Sequence, residues 1–222
     1  MLYRTLLITS LLFPLAVSAQ DAVKSTQHPM RGLHNDPKAY IAALEDPRRD
    51  PYQKPAEVLA ALDIKPGEIM ADIGAGSGYF TFRLARQVSE RGKIYAVDVS
   101  PDMILHLNRT IRDLKITNVV PILADPDDPL LPVPSVDRFF FSDSWHHTEN
   151  QAKYLGLMKK LLKPNGQVVM IDFHKKETPA GPPLRMRIAR EDLIEQMTSN
   201  GFRLAKEHTC LPYQYFLVFA AK

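Results

Sequence analysis

The stretch Ala71-Asp72-Ile73-Gly74-Ala75-Gly76-Ser77-Gly78-Tyr79-Phe80 narrows the possible folds more than any other part of this 222-residue chain. An aspartate is followed by three glycines at alternate positions, between an apolar run and an amphipathic segment. A turn built this way uses backbone angles that a Cβ forbids, and it lets a ligand touch the main chain. The dinucleotide fingerprint has a two-residue gap before its last glycine, so this spacing disfavours a nicotinamide-binding domain.

Around that loop, strand-like and helix-like patterns alternate. Apolar runs at 69–73, 93–99, 119–123, 136–141 and 167–173 predict five strands. Between them, Phe80, Leu84 and Val88 share one helical face, as do Met103, Leu107, Ile111 and Leu114, and then Tyr154, Met158 and Leu161. Ser100-Pro101 is a cap followed by proline at the first helical position. Leu193, Ile194 and Met197 mark a further helix, ending at Asn200-Gly201. Two last strands, 202–208 and 213–219, follow with only about four residues between them. A parallel pair needs a crossover of roughly a dozen residues or more, so this pair must be antiparallel. Residues 125–134 and 174–183 read as loops. The alternation predicts a mostly parallel sheet covered on both faces.

The N-terminal portion differs. Met1-Leu2-Tyr3-Arg4 gives a positive start, residues 5–17 form an uncharged, mainly apolar run broken by Pro14, and Val17-Ser18-Ala19 supplies small residues for a signal peptidase. We read residues 1–19 as a secretory leader, which places the protein in the periplasm or outside the cell. A retained anchor or a misassigned start is the other reading. The run is too short for a comfortable membrane span, which takes about 20 apolar residues. Residues 20–54 are polar and proline-rich and are expected to be an extended arm with one helical turn near Tyr40, and residues 55–222 form the main domain. Hydrophobic residues make up 45% of the chain, enough to bury a full core. The net charge of +3 is not gathered into a basic stripe with aromatics, which argues against nucleic acid as partner. The single cysteine, Cys210, excludes an internal disulfide and any multi-cysteine metal site.

The glycine loop, the acidic residues after the next strands and the final hairpin together resemble the class I S-adenosylmethionine (SAM) methyltransferases. The resemblance covers residues 52–219 and extends to the group that includes the quinone-biosynthesis C-methyltransferases. It implies an α/β, Rossmann-like, seven-stranded mostly parallel sheet with an antiparallel last strand and helices on both faces. It also implies SAM as cofactor and a small-molecule acceptor, with the cofactor along the carboxyl ends of the first four strands. By position, Asp72, Gly74, Gly76 and Gly78 match the cofactor loop. Asp98, 20 residues after the last glycine, matches the carboxylate that takes the ribose hydroxyls. Ala124 and Asp125 match the adenine contact after the third strand, and Met103 is placed to pack on the adenine face.

Each residue has a second reading on its own. Asp98 is also a strand-end carboxylate, Asp125-Pro126-Asp127-Asp128 is also a turn, and Met103 is also core. After the fourth strand stand Ser142-Asp143-Ser144-Trp145-His146-His147. The plant phenol O-methyltransferases carry a catalytic histidine in this region, and His146 is the nearest match. Histidine suits proton abstraction because its pKa lies near neutrality. Asp143 either orients that imidazole or holds the acceptor. Alternatively His146 only caps the next helix and packs the loop. Asp143, His146 and His147 do not match the carboxylate set of metal-dependent members, so no metal is expected. The loop at 174–183, Tyr52-Gln53-Lys54 and Tyr213-Gln214-Tyr215-Phe216 are expected to border an acceptor pocket, with Tyr215 and Phe216 equally readable as core. A SAM-fold protein that binds without catalysis is the rival function; intact glycines and carboxylates argue against it.

Overall fold

The computed structural model describes residues 36–132 and 136–222. The leader read in residues 1–19 lies outside the described residues. Strands β1 (Ile69–Ile73), β2 (Lys93–Asp98), β3 (Val119–Leu123), β4 (Val136–Ser142), β5 (Leu162–Phe173), β6 (Phe202–His208) and β7 (Gln214–Ala221) form one sheet, in the order β3-β2-β1-β4-β5-β7-β6. The first five strands pair in parallel, and β7 runs antiparallel to both its neighbours, β5 and β6. The expected final hairpin is present, with β7 inserted between β5 and β6.

Helices α3 (Pro55–Leu62), α4 (Thr81–Val88), α5 (Pro101–Asp113), α6 (Gln151–Leu161) and α7 (Arg190–Ser199) cover the sheet. The run Phe139-Phe140-Phe141 shows why both faces must be covered. All three rings are fully buried, with Phe139 and Phe141 in one core and Phe140 in the other. A strand alternates its side chains between faces, so an unbroken apolar run is stable only with helices on both sides. Among the described residues no helix is long and apolar enough to cross a membrane.

Two expectations need correction. Residues 36–54 of the arm are not extended: they fold as α1 (Pro37–Leu44), a 3-10 turn (Pro47–Arg49) and α2 (Asp50–Gln53) before α3 begins. Each of these segments has a proline in its first two positions, where its fixed φ favours the helix and no donor is lost. Asp36 caps α1, accepting from the N–H groups of Lys38 and Ala39 at 3.1 Å. Second, β5 begins at Leu162 rather than at 167. Leu162 pairs with Val136, and the register then shifts, with Asn165 at φ +64°. Of the two readings of Tyr215 and Phe216, the core one is observed: they are buried on opposite faces of β7, one in each core.

Candidate cofactor and acceptor site

The glycine loop leaves the carboxyl end of β1 and leads into α4. Gly74, Gly76 and Gly78 all have positive φ. At Gly74 a Cβ would stand 2.5 Å from Ser144 Cβ, because the chain leaving β4 crosses directly over the end of β1. Ser144 Oγ fixes that crossing by donating to Ile73 O at 2.6 Å. At Gly78 a Cβ would run into the Phe82 ring and Leu107.

Two carboxylates hold the loop. Asp72 is buried, and its Oδ2 accepts from Thr81 Oγ1 at 2.6 Å, tying the end of β1 to the start of α4. Burial pushes its pKa up to about 7, with the nearby charge of Asp98 adding to the rise and Thr81 opposing it. Asp98 ends β2. One of its oxygens accepts from Gly76 N–H at 2.8 Å and the other from Ser100 N–H at 2.9 Å. Burial raises its pKa, and the backbone N–H groups of Ser100, Gly76 and Val99 resist the rise. A carboxylate has about four acceptor positions, so three backbone donors leave room for a ligand hydroxyl. Next to it, Ala124 is buried and donates to Asp98 O at 3.0 Å, while Asp125 is exposed in a turn closed against Asp128. Met103 is buried on the first turn of α5, where Ser100 Oγ accepts from its N–H at 3.5 Å. All eight expected cofactor residues therefore stand at the carboxyl ends of β1, β2 and β3 or on the helices that follow.

The arm lies across this edge. Leu44 Cδ1 comes within 3.0 Å of where a Gly76 Cβ would be, Glu45 pairs with His106 Nε2 at 2.9 Å, and Tyr79 donates its hydroxyl to Asp50. Tyr40 lies close enough to Asp98 for that charge to raise its pKa, after the larger effect of burial.

Beyond β4 the expected catalytic pair is arranged differently. Asp143 does not orient His146; Asp172, on β5, does, accepting from His146 Nδ1 at 2.8 Å. Both side chains of that pair are 2% exposed. Asp172 also accepts from its own chain at Phe173 N–H, 2.8 Å. Burial lowers the His146 pKa, but the hydrogen bond and charge of Asp172 and the charge of Asp143 outweigh it and leave it raised. Nor does His146 cap the next helix. It sits in a 3-10 turn (Trp145–His147), and the cap of α6 is Asn150, which accepts from Lys153 N–H at 3.4 Å.

Asp143 instead joins the arm to the last hairpin. It adopts φ +56°, and its two oxygens accept from Gln53 Nε2 at 2.6 Å and Gln214 Nε2 at 2.8 Å. Gln214 Nε2 also reaches Gln53 Oε1 at 3.3 Å. Burial and the charge of Asp172 push the Asp143 carboxyl up to about 6, against the pull of Gln53, Arg49 and Gln214. Beside this knot Tyr52 meets Phe173 and Tyr213 with ring centroids 6.0 and 6.2 Å apart. Arg187 fixes the loop after β5, donating to the carbonyls of His174, Lys176, Ala180 and Pro182 and to Thr178 Oγ1.

Sequence reasoning missed Asp172, Arg187 and Thr81, and named Gln53 and Gln214 only as parts of a border. Asp172 carried a readable signal: a carboxylate inside the otherwise buried end of a central strand needs a partner. The pairing of the two glutamines carried none, as they are 161 residues apart.

The donor set fits SAM. Around the loop and the β4 end, Ser77 Oγ, Ser142 Oγ and Gln214 Oε1 are buried without a hydrogen-bond partner, and buried polar atoms normally have one. The Asp98 carboxylate, at the end of β2, is an acceptor suited to the ribose hydroxyls.

Comparison with known proteins agrees. The chain matches the methyltransferase domain family over residues 64–213. It is similar to the crystal structure of a SAM-dependent methyltransferase from Aquifex aeolicus, with a TM-score of 0.79 and 27% identity, covering 84% of this chain and 99% of that one. Among curated proteins it is 29% identical over 160 residues to a probable cobalt-precorrin-6B C(15)-methyltransferase of Sulfurisphaera tokodaii, covering 70% of this chain and 81% of that protein. It is also 26% identical over 117 residues to a ubiquinone/menaquinone biosynthesis C-methyltransferase of Hydrogenovibrio crunogenus. That match covers 52% of this chain, which spans about half (46%) of the relative.

Proposed function

The chain belongs to the methyltransferase domain family as a class I SAM-dependent methyltransferase, and on that premise we propose that it methylates a small-molecule acceptor whose proton is taken by His146. The observation that carries this reading is the buried His146–Asp172 pair at the carboxyl ends of β4 and β5. When bound, SAM supplies a methyl already activated by its sulfonium, so alignment accounts for much of the rate. With Nδ1–H given to Asp172, Nε2 is the basic nitrogen of the ring, and it takes the proton of an O–H, N–H or acidic C–H nucleophile. The carboxylate then stabilises the imidazolium that forms. The aromatic edge of Tyr52, Phe173 and Tyr213 favours an apolar or planar acceptor.

The test is a screen of phenols, amines and activated-carbon acids for release of the demethylated product, S-adenosylhomocysteine. It is followed by His146→Gln with the best acceptor. We expect kcat to fall about 10²–10⁴-fold with little change in SAM affinity. An unchanged kcat in a folded variant removes His146 from proton transfer.

We also propose that residues 1–19 are removed on export, leaving 20–54 as an arm on the catalytic domain 55–222. The positive start, apolar run and small-residue ending support this.

A further inference from the structure

Most arginines near the arm have an acidic partner. Arg48 pairs with Asp46, and Arg83 approaches Asp50 at 3.9 Å. Arg49 pairs with no carboxylate among the described residues. Its guanidinium donates to Leu44 O and lies 4.5 Å from the centre of the Tyr79 ring. Both contacts border the cofactor loop: the Leu44 side chain faces Gly76, and Tyr79 follows Gly78 directly. On its other side Arg49 bonds the Tyr52 side chain, and its charge reaches Asp143. The guanidinium thus stands between the glycine loop at the end of β1 and Asp143 at the end of β4.

The charges around this point are one-sided. Asp72, Asp98, Asp143 and Asp172 are all carboxyl groups of the site, and none of them, where ionised, attracts an anion. SAM and S-adenosylhomocysteine carry one carboxylate apiece, and it must be placed among these groups. A guanidinium with planar donors and no acidic partner is the group suited to receive it.

We propose that Arg49 binds the methionyl carboxylate of the cofactor, which makes the arm a part of the cofactor site. The proposal rests on the SAM-binding reading above, and the test separates the two. S-adenosylhomocysteine and 5′-methylthioadenosine share the adenosine and the sulfur, but only the first has the carboxylate. Calorimetry with both, on the full chain, compares wild type with Arg49→Met and Arg49→Lys.

In Arg49→Met we expect S-adenosylhomocysteine to bind about 10–100-fold more weakly, the scale of a lost charge-assisted hydrogen bond. Methylthioadenosine should change by less than about twofold. Arg49→Lys, which keeps the charge without the fork, should fall between wild type and Arg49→Met. Equal losses for both ligands would overturn the proposal and assign Arg49 to holding the arm in place. So would unchanged affinity for S-adenosylhomocysteine, or a lysine variant as weak as the methionine one. Failure of wild type to bind S-adenosylhomocysteine while it stays folded would overturn the cofactor reading itself, and this proposal with it.

Discussion

Replacing Asp72 by Asn tests the electrostatics of the cofactor loop. The side chain is buried, and its one side-chain partner is the Thr81 hydroxyl, which an amide oxygen accepts equally well. The substitution keeps the shape and an acceptor for Thr81 Oγ1 and removes the ionisation; it also puts an amide NH2 in place of the second oxygen, a cost that does not change with pH. Burial moves the carboxyl from its ordinary 3.8 up to about 7 in the fold. Below about pH 4 the carboxyl is protonated in the folded and the unfolded chain alike, so the difference between wild type and the Asp72→Asn variant is constant there. Between about pH 4 and 7 the unfolded chain ionises and the folded chain does not, so wild type loses stability as pH rises. Above the folded pKa the loss levels off. A rise of about three units corresponds to about 4 kcal/mol at most, at 1.36 kcal/mol per unit. Relaxation around the buried charge and the nearby Asp98 will reduce it. Urea unfolding without cofactor at pH 5, 6.5 and 8 measures the gap. The Asp72→Asn variant should gain on wild type at each step, by about 2–4 kcal/mol at pH 8 relative to the difference between the two below pH 4. The same variant should bind SAM more weakly, having traded a charge used for binding against stability. Two stability curves that run parallel with pH would refute the argument, because they would show that Asp72 is ionised in the fold throughout this range.

Two other outcomes can be checked directly. Asp98→Ala leaves the N–H groups of Gly76 and Ser100 without their acceptor and removes the expected ribose anchor, so SAM affinity measured by calorimetry should drop by about 1.5–3 kcal/mol; unchanged affinity in folded protein would take Asp98 out of the site. Protein recovered from its native host should begin at Gln20 on N-terminal sequencing, and soluble material that keeps Met1 would disprove export.

Much of the fold was readable because its central strands carry apolar runs and its turns are marked by glycine and proline. The turn after β1 was readable for a related reason: a backbone that must bend at Gly74, Gly76 and Gly78 can be written in few other ways. Proline content alone reads as extended chain, and in the arm that reading fails. Pro37, Pro47, Pro51 and Pro55 instead open successive helical segments, a role that depends on position and not on content. The acceptor side was only half readable. His146 could be found from its place after β4, but its partner Asp172 comes from the neighbouring strand through register, with Ser142 beside Ile171. Local spacing does not encode that pairing. The link from Gln53 through Asp143 to Gln214 depends on three elements meeting in space, and no one of them marks it.

That link also sets an order of assembly. The arm, the glycine loop and Asp143 are all synthesised before β7, the seventh strand in sequence, yet β7 takes an inner place between β5 and β6. Until it enters, β6 has no strand to pair with, Asp143 lacks one of its two amide donors, and the arm is held at that end through Gln53 alone. Distant pairings of this kind form late, since the intervening chain must first be brought together. A ribosome-bound chain therefore carries its glycine loop well before Asp143 can receive Gln214. The knot that joins the arm to the end of β4 is complete only once the last strand has paired.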